Sequence, residues 1–444
     1  MRSQHEYVLR TVEERAIRFV QLWFTDVLGT PKTFSITPAE LENALEEGMT
    51  FDGSAIDGFS RVQESDVLAR PDPKTFQLLP WHTADMPVAR VFCDIFNLDG
   101  SPFEGCPRHA LRRALDKARD KGFTFYASPE IEYFYFADAD PSHTPVGLDS
   151  GSYFDLTASD VASNLRKQSV LTLEEMGIPV EHAQHEDAPS QHELDLRYTD
   201  ALTMADTVMT VRLVVKEIAQ RHGVHASFMP KPVAGVQGSG MHTHLSLFEG
   251  ETNAFSDPED PYGLSKLSKQ FIAGLLRHAP EITAVTNQWV NSYKRLVSGY
   301  EAPIHVSWAR NNRSALVRVP VVKHKKWEST RVEYRAPDPA ANPYLALAVI
   351  LAAGLKGIEE GYELPREAAA NLFEMTPEEL AADDIRPLPG SLHEAIGEME
   401  RSELVAETLG EHVFEWFTRN KRAEWAAYKS HVSQFELDRY LPLL

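Results

Sequence analysis

Cysteine is almost absent from this sequence. Its 444 residues hold two, Cys93 and Cys106, without CxxC spacing, too few for a zinc cluster or a secreted disulfide framework. Neither is required, because a chain of this length can close a core that stands without staples, over roughly two or three domains of about 150 residues each. Long apolar runs are missing too. None approaches the ~20 residues of a membrane span, and the opening MRSQHEYVLRTVEERAIRF alternates charge and hydrophobe like an amphipathic helix, without the apolar stretch of a signal peptide. A cytoplasmic protein is expected. Basic charge is scarce: 44 Lys plus Arg stand against 65 Asp plus Glu, a net charge of −21. Such a surface repels polyphosphate backbones, so nucleic acid is not an expected partner.

What is present reads as an α+β chain. RFVQLWFTD predicts a strand, Gly29 to Pro31 a turn and KTFSI a returning strand. Thr37, Pro38 and Glu40 supply the cap, first-turn proline and capping box of a helix that ends at Gly48. ARVFCDIFNLDG reads as a buried strand ending in an Asp-Gly turn, which closes a small mixed domain, residues 1–103. A larger domain, 104–444, begins with the helix HALRRALDKARDKG and paired strands in FTFYASPEIEYFYF, and continues as interleaved helices and strands. Beyond Asn342 the pattern is helical, and PYLALAVILAAGLKGIEEG, apolar almost all round, must be buried. The closing FELDRYLPLL carries apolar residues where fraying would expose them, which points to a docking surface on another subunit.

Four segments can carry chemistry. In PEIEYFYF a strand turns Glu130 and Glu132 to one face; two like charges among hydrophobes are costly unless a cation lies between them, and an exposed edge is the alternative. HEDAPSQHELDLRY concentrates Glu186, Glu193 and two histidines, in a binding loop or a solvated one. GSGMHTHLS has glycines that permit close backbone approach and His242 and His244 on one strand face, without the pattern of a P-loop. Last, basic residues gather from Lys294 to Arg335, with Arg331, Glu333 and Arg335 sharing a strand face suited to phosphate and metal, or to a surface ion-pair ladder. Oxygen ligands beside cationic clamps suggest phosphoryl transfer assisted by Mg²⁺ or Mn²⁺.

FDGSAIDGF with QESD, PEIEYF, HEDAPSQHE, MPKP with GSGMHTHLS, NSYKRLVSGYEAP, RNNRSALVRVP and RVEYRAPDPAANPYLA follow one another in this order. In them the chain resembles the bacterial type I glutamine synthetase family over essentially its whole length. The resemblance implies a β-grasp amino-terminal domain, a catalytic α/β domain with a helical carboxy-terminal region, and a homo-oligomer of twelve subunits in two hexameric rings. It implies an ATP-dependent ligase that phosphorylates the side chain of L-glutamate and lets an amine, ammonia first of all, displace phosphate. Glu132, Glu186 and Glu193 should then hold one divalent ion, and Glu130, His242 and Glu333 a second. Arg295, Glu301, Arg313 and Arg335 should surround glutamate and the transferred group, with a backbone contact from Gly238. Arg318 and Arg331 should meet the nucleotide phosphates, and Glu181, Tyr198, His244 and Ser246 the rest of the nucleotide. Asp52 of an adjacent subunit should take the amine's proton, with Tyr153 and Glu186 completing the cation pocket and Glu301 in a flap.

The departures from the family pattern are Ala55 for Ser, Gln237 for Asn, Tyr198 for Phe and Glu328 for Lys. Loss of a hydroxyl and a changed amide open the acceptor pocket to a larger amine, so a polyamine or other alkylamine is the alternative acceptor. Phe373 stands where adenylylated members carry Tyr and offers no hydroxyl to modify.

Overall fold

The structure is a computed structural model that describes residues 2–59, 66–83, 85–156, 161–323, 326–368 and 372–444. The QESD motif, apart from Asp66, and Lys325 fall outside them. Two sheets organise the chain. The first holds β1 (Phe19–Thr25), β2 (Pro31–Ile36), β3 (Met49–Asp52), β4 (Asp66–Pro71), β5 (Gln77–Leu78) and β6 (Val88–Phe96), in the order β2-β1-β6-β4-β3 with β5 also on β6. Its central pair, β1 and β6, runs parallel. Helices α1 (Arg2–Glu14) and α2 (Pro38–Glu46) accompany it. Val20, Leu22, Phe24, Val91 and Ile95 are buried together, as alternation along a one-sided sheet dictates.

The second sheet is larger. Its strands are β7 (Thr124–Phe136), β8 (Val180–His185), β9 (Gln191–Leu196), β10 (Thr199–Asp200), β11 (His225–Ser227), β12 (Met241–Glu249), β13 (Thr252–Asn253), β14 (Trp308–Ala309), β15 (Val317–Arg318) and β16 (Val332–Tyr334). The order is β14-β15-β16-β12-β7-β9-β8, with the short β10 and β11 on β7 and β13 on β12. Helices α3 (Pro107–Asp120), α4 (Val161–Glu175), α5 (Ala201–Arg221) and α6 (Lys266–Thr286) pack on it, and the short α7 (Ser292–Arg295) carries Arg295. The predicted apolar helix is α8 (Pro343–Glu360); Asn342 caps its first amides, and Gly361 ends it in the left-handed region at φ 65°. Helices α9 (Pro377–Ala382), α10 (Leu392–Glu400), α11 (Glu403–Leu409), α12 (Glu411–Ser430) and α13 (Gln434–Tyr440) complete the chain. Val432, Phe435, Leu441 and Leu443 around α13 are exposed, and among the described residues no helix is long and apolar enough to cross a membrane.

Two local expectations are corrected. FTFYASPEIEYFYF forms one strand, β7, rather than two: Pro129 lies between the stretch paired with β10, at Tyr126 and Ala127, and the stretch paired with β9, from Glu130 onward. Its missing N–H therefore breaks no ladder on that side. At α2, Thr37 is the cap and Pro38 opens the helix, but no side-chain cap bond forms, so the capping box is absent.

The two sheets are joined by buried charge. Arg108 on α3 lies against three carboxylates: Asp206 on α5 at 2.8 Å, Asp94 on β6 at 2.9 Å and Asp72 at 3.0 Å. Tyr344 on α8 donates to Asp206 at 2.6 Å. Burial alone would raise the Asp94 carboxyl, yet Arg108 and Arg112 hold it below its ordinary value. Removing the cation would strand buried carboxylates, which typically costs about 3–5 kcal/mol. Arg108→Ala should therefore lower unfolding stability by about that much at pH 7, measured as a loss of urea midpoint. Because Asp94 is depressed in the fold, the difference from the parent should shrink on acidification below the ordinary carboxylate range.

Candidate active site

Strand pairing assembles the site from segments far apart in sequence. Across β7 and β12, Glu130 faces His242; across β7 and β9, Glu132 faces Glu193; across β12 and β16, His244 faces Glu333; and across β15 and β16, Arg318 faces Glu333. The strand bearing Glu130 and Glu132 is interior to the sheet, so the exposed-edge alternative fails, and burial of Glu333 rules out a surface ion-pair ladder.

Glu130, His242 and Glu333 each offer a ligand atom within 4.8 Å of the others. His242 Nδ1 lies 3.5 Å from Glu130 and 3.8 Å from Glu333. His244 donates from Nε2 to Glu130 at 2.8 Å, its other nitrogen accepting from Arg331 Nε at 3.3 Å. Arg318 binds one oxygen of Glu333, and Arg335 Nε donates to the other at 3.1 Å. Burial opposes ionisation here, but the histidine hydrogen bonds hold Glu130 well below its ordinary value, and His244 and Arg335 lower Glu333.

Glu132, Glu186 and Glu193 form a looser, purely acidic group. Glu132 Oε2 accepts from Gly240 N–H at 2.8 Å and Gln191 Nε2 at 3.0 Å, and Glu193 accepts from Gln184 Nε2 at 2.8 Å. Burial, reinforced by the charge of Glu186, pushes Glu132 up to about 8, and Glu193 and Glu186 are raised as well. Their oxygen donors and mutual repulsion, only partly offset by Arg295 and by a Glu186–Glu193 hydrogen bond, fit a hard divalent cation, as do the two carboxylates and imidazole of the neighbouring group.

The remaining expected residues fall around these groups. Arg295 is buried, donating to the carbonyls of Ala336 at 2.7 Å and Arg335 at 3.2 Å. Gly238 is wedged between it and Pro230: an added Cβ would sit 2.4 Å from the Pro230 carbonyl and 3.1 Å from the Arg295 side chain. Glu301, at φ 56°, pairs with Arg313 at 3.4 Å, and both are exposed. They line a cavity of about 600 Å³ with Asn312, Ser314 and Phe373. Ser246 lies opposite Tyr126, whose ring meets Tyr198 edge-on at 5.7 Å, while Glu181 is exposed at the irregular start of β8. Tyr153 is exposed, and its phenol is pushed up by desolvation and then by the charges of Glu186 and Glu193. Gln237 donates to Asp187 at 2.6 Å, so its longer side chain is tied down. Asp52 stands on the other sheet at the end of β3, accepting from the Ser54 amide at 2.8 Å.

Sequence reasoning missed two contributors. Gln191 accepts from Ala188 N–H at 3.2 Å and donates to Glu132 and the Gly238 carbonyl, both at 3.0 Å. It thus ties the acidic turn to β7 and the glycine segment, and nothing in its spacing signals this. Asp149 gathers His185 and His192 from a segment with no motif of its own.

The model of the glutamine synthetase β-grasp domain matches residues 16–98, and that of the glutamine synthetase catalytic domain matches 104–440. The chain belongs to the glutamine synthetase family, whose members are glutamate–ammonia ligases. It is 59% identical to the glutamine synthetase of Mycolicibacterium smegmatis over all of both chains, and 48% identical to that of Thermotoga maritima over 99% of each. A solved structure titled GmaS/ADP complex is 33% identical with a TM-score of 0.87, covering 98% of this chain and 99% of the other.

A carboxyl raised on folding holds more protons in the native than in the unfolded state, so its contribution to stability fades as pH rises toward its folded value. In EDTA, the melting temperature should therefore fall between pH 5 and 8. Glu132→Gln, neutral throughout, should flatten that fall in a calorimetric pH series.

Proposed function

We propose that this chain synthesises L-glutamine from L-glutamate, ATP and ammonia through γ-glutamyl phosphate, as a cytoplasmic homo-oligomer of two hexameric rings. The observation that carries the reading is the buried meeting of two carboxylate groups under a rim of arginines, in a chain of this family. We further propose the domain division 1–103 and 104–444. The apolar surface around α13 supports assembly, and the location of Asp52 on the β-grasp sheet supports its donation to a neighbour's site.

Glu132, Glu186 and Glu193 would hold one Mg²⁺ or Mn²⁺, and Glu130, His242 and Glu333 the other. When bound, these ions supply charge neutralisation at the phosphates and at the amine end of the site. Glutamate is received by Arg295, Arg335 and the Gly238 backbone. Arg318 and Arg331 lie where charge builds on the phosphates, and the nucleotide extends toward Glu181, His244, Ser246 and Tyr198. Arg313 and Glu301 close over the acyl phosphate and shield it from water. Ammonium has no lone pair, so Asp52, beside Tyr153 and Glu186, takes its proton before attack. Ammonia is assigned over polyamines because Gln237 is hydrogen-bonded to Asp187 rather than leaving room, and because the close relatives bear the name glutamine synthetase.

Three outcomes test the assignment. Glu333→Ala should lower glutamate-dependent phosphate release at least about a thousandfold, about 4 kcal/mol in the barrier, and near-normal release would overturn the ligand role. Asp52→Ala should lose glutamine formation far more than γ-glutamyl phosphate formation, followed by hydroxamate trapping, and equal loss of both would overturn the base role. Mass spectrometry of products from an amine panel should find glutamine foremost; γ-glutamyl putrescine or spermine in excess would overturn the acceptor.

A further inference from the structure

Behind the acidic turn lies a second cluster. Asp149, His185 and His192 each place a ligand-type atom within 4.8 Å of the others. Both rings are almost fully buried. The arrangement looks like a metal site, but the hydrogen bonds decide against it. His185 Nδ1 donates to the Glu186 carbonyl at 2.6 Å, while its Nε2 faces Asp149 Oδ1 at 2.8 Å. A carbonyl and a carboxylate are both acceptors, so both nitrogens of this ring carry protons. His192 Nδ1 is met by Arg166, which can only donate. That nitrogen must accept, and the proton sits on Nε2, aimed at Asp149 Oδ2 from 3.7 Å. The nitrogens facing Asp149 are therefore donors, with no lone pair for a cation.

Asp149 is instead a hub of acceptors. Its Oδ1 also takes the Ser190 amide at 2.8 Å and the Gly151 amide at 3.0 Å. Ser190, at φ 63°, returns the contact: its hydroxyl accepts from the amides of Leu148 at 2.7 Å and Asp149 at 3.0 Å. Phe154 N–H donates to the His185 carbonyl at 3.1 Å. No side chain fits between the two segments, since a Cβ on Gly147 would sit 2.6 Å from Ser190 Oγ and one on Gly151 2.6 Å from His185. Residues 147–154 are thus strapped to the turn 185–190. Tyr153 immediately precedes the strap's last residue, Phe154, and Glu186 immediately follows the turn's first, His185. Alternation along β9 turns His192 to the face opposite Glu193, so the clamp grips the turn from behind.

We propose that Asp149 is a positioning residue for the ammonia pocket, holding Tyr153 in register with Glu186 through this strap. The inference rests on the reading that Tyr153 and Glu186 line that pocket. Asp149→Asn keeps the shape but removes the charge facing the doubly protonated His185 and turns its NH₂ toward one of the two ring N–H donors. In the full-length enzyme it should raise the KM for ammonium about tenfold or more. The KM for ATP and kcat at saturating ammonium should stay within about twofold, and melting within a few degrees. Ser190→Ala, which loosens the strap while leaving Asp149 in place, should shift the ammonium KM in the same direction and serves if the first variant fails to fold. Tyr153→Phe is the reference. Once it has raised the ammonium KM, adding Asp149→Asn should raise it little further, because the two changes act through one contact. An unchanged ammonium KM in both Asp149→Asn and Ser190→Ala, proportional losses for all substrates, or independent multiplication in the double variant would overturn the inference. If Tyr153→Phe alone leaves ammonium untouched, the pocket reading falls, and the route through Tyr153 with it.

Discussion

The fold is organised around a constraint of electrostatics: carboxylates withdrawn from water must share their surroundings with positive charge or take up protons. Two neighbouring groups meet it in different ways. Around Glu333 and Glu130 the protein supplies its own cations and ring donors, and the acids stay ionised. Around Glu132 and Glu193 it supplies mainly neutral amide donors, and the acids are pushed toward protonation. One sheet thus holds a satisfied acidic group beside a dissatisfied one.

The same constraint recurs away from the site at Arg108, where a single buried guanidinium faces acids from both halves of the chain. Asn342 adds to the seam by donating to the carbonyls of Asp26 and Val27 at 3.2 and 3.1 Å while it caps α8. Because α8 is buried on nearly every side, the β-grasp sheet is fastened to the centre of the larger body rather than to its rim.

How legible this was depends on the range of the interaction concerned. Period-two spacing alone put Glu130 with Glu132 and His242 with His244, because the chemistry of one strand face is written locally. The apolar wrap of α8 and the turn at Gly29 were equally readable. Which strands would be neighbours was not: nothing in the spacing of His242 tells that it lies across from Glu130, and the resemblance to a known family supplied that grouping. FTFYASPEIEYFYF was misjudged because a proline ordinarily interrupts a strand, and its tolerance depends on where the partner strands happen to stop. Asp149 escaped notice for a related reason. Apart from the Gly151 amide, its partners are a backbone amide and rings some 40 positions away in the chain, and such partners leave no periodic trace.

Glu301 sits in the left-handed region of backbone space, which side chains branched at Cβ strongly disfavour and which glycine and asparagine tolerate. A saturation library at this codon would consequently report two properties at once, the fit of each residue to the bend of the loop and the chemistry of its side chain. Glycine and asparagine would keep the loop's shape while discarding the carboxylate, so they, rather than alanine, are the informative neutral replacements for separating architecture from reactivity at that tip.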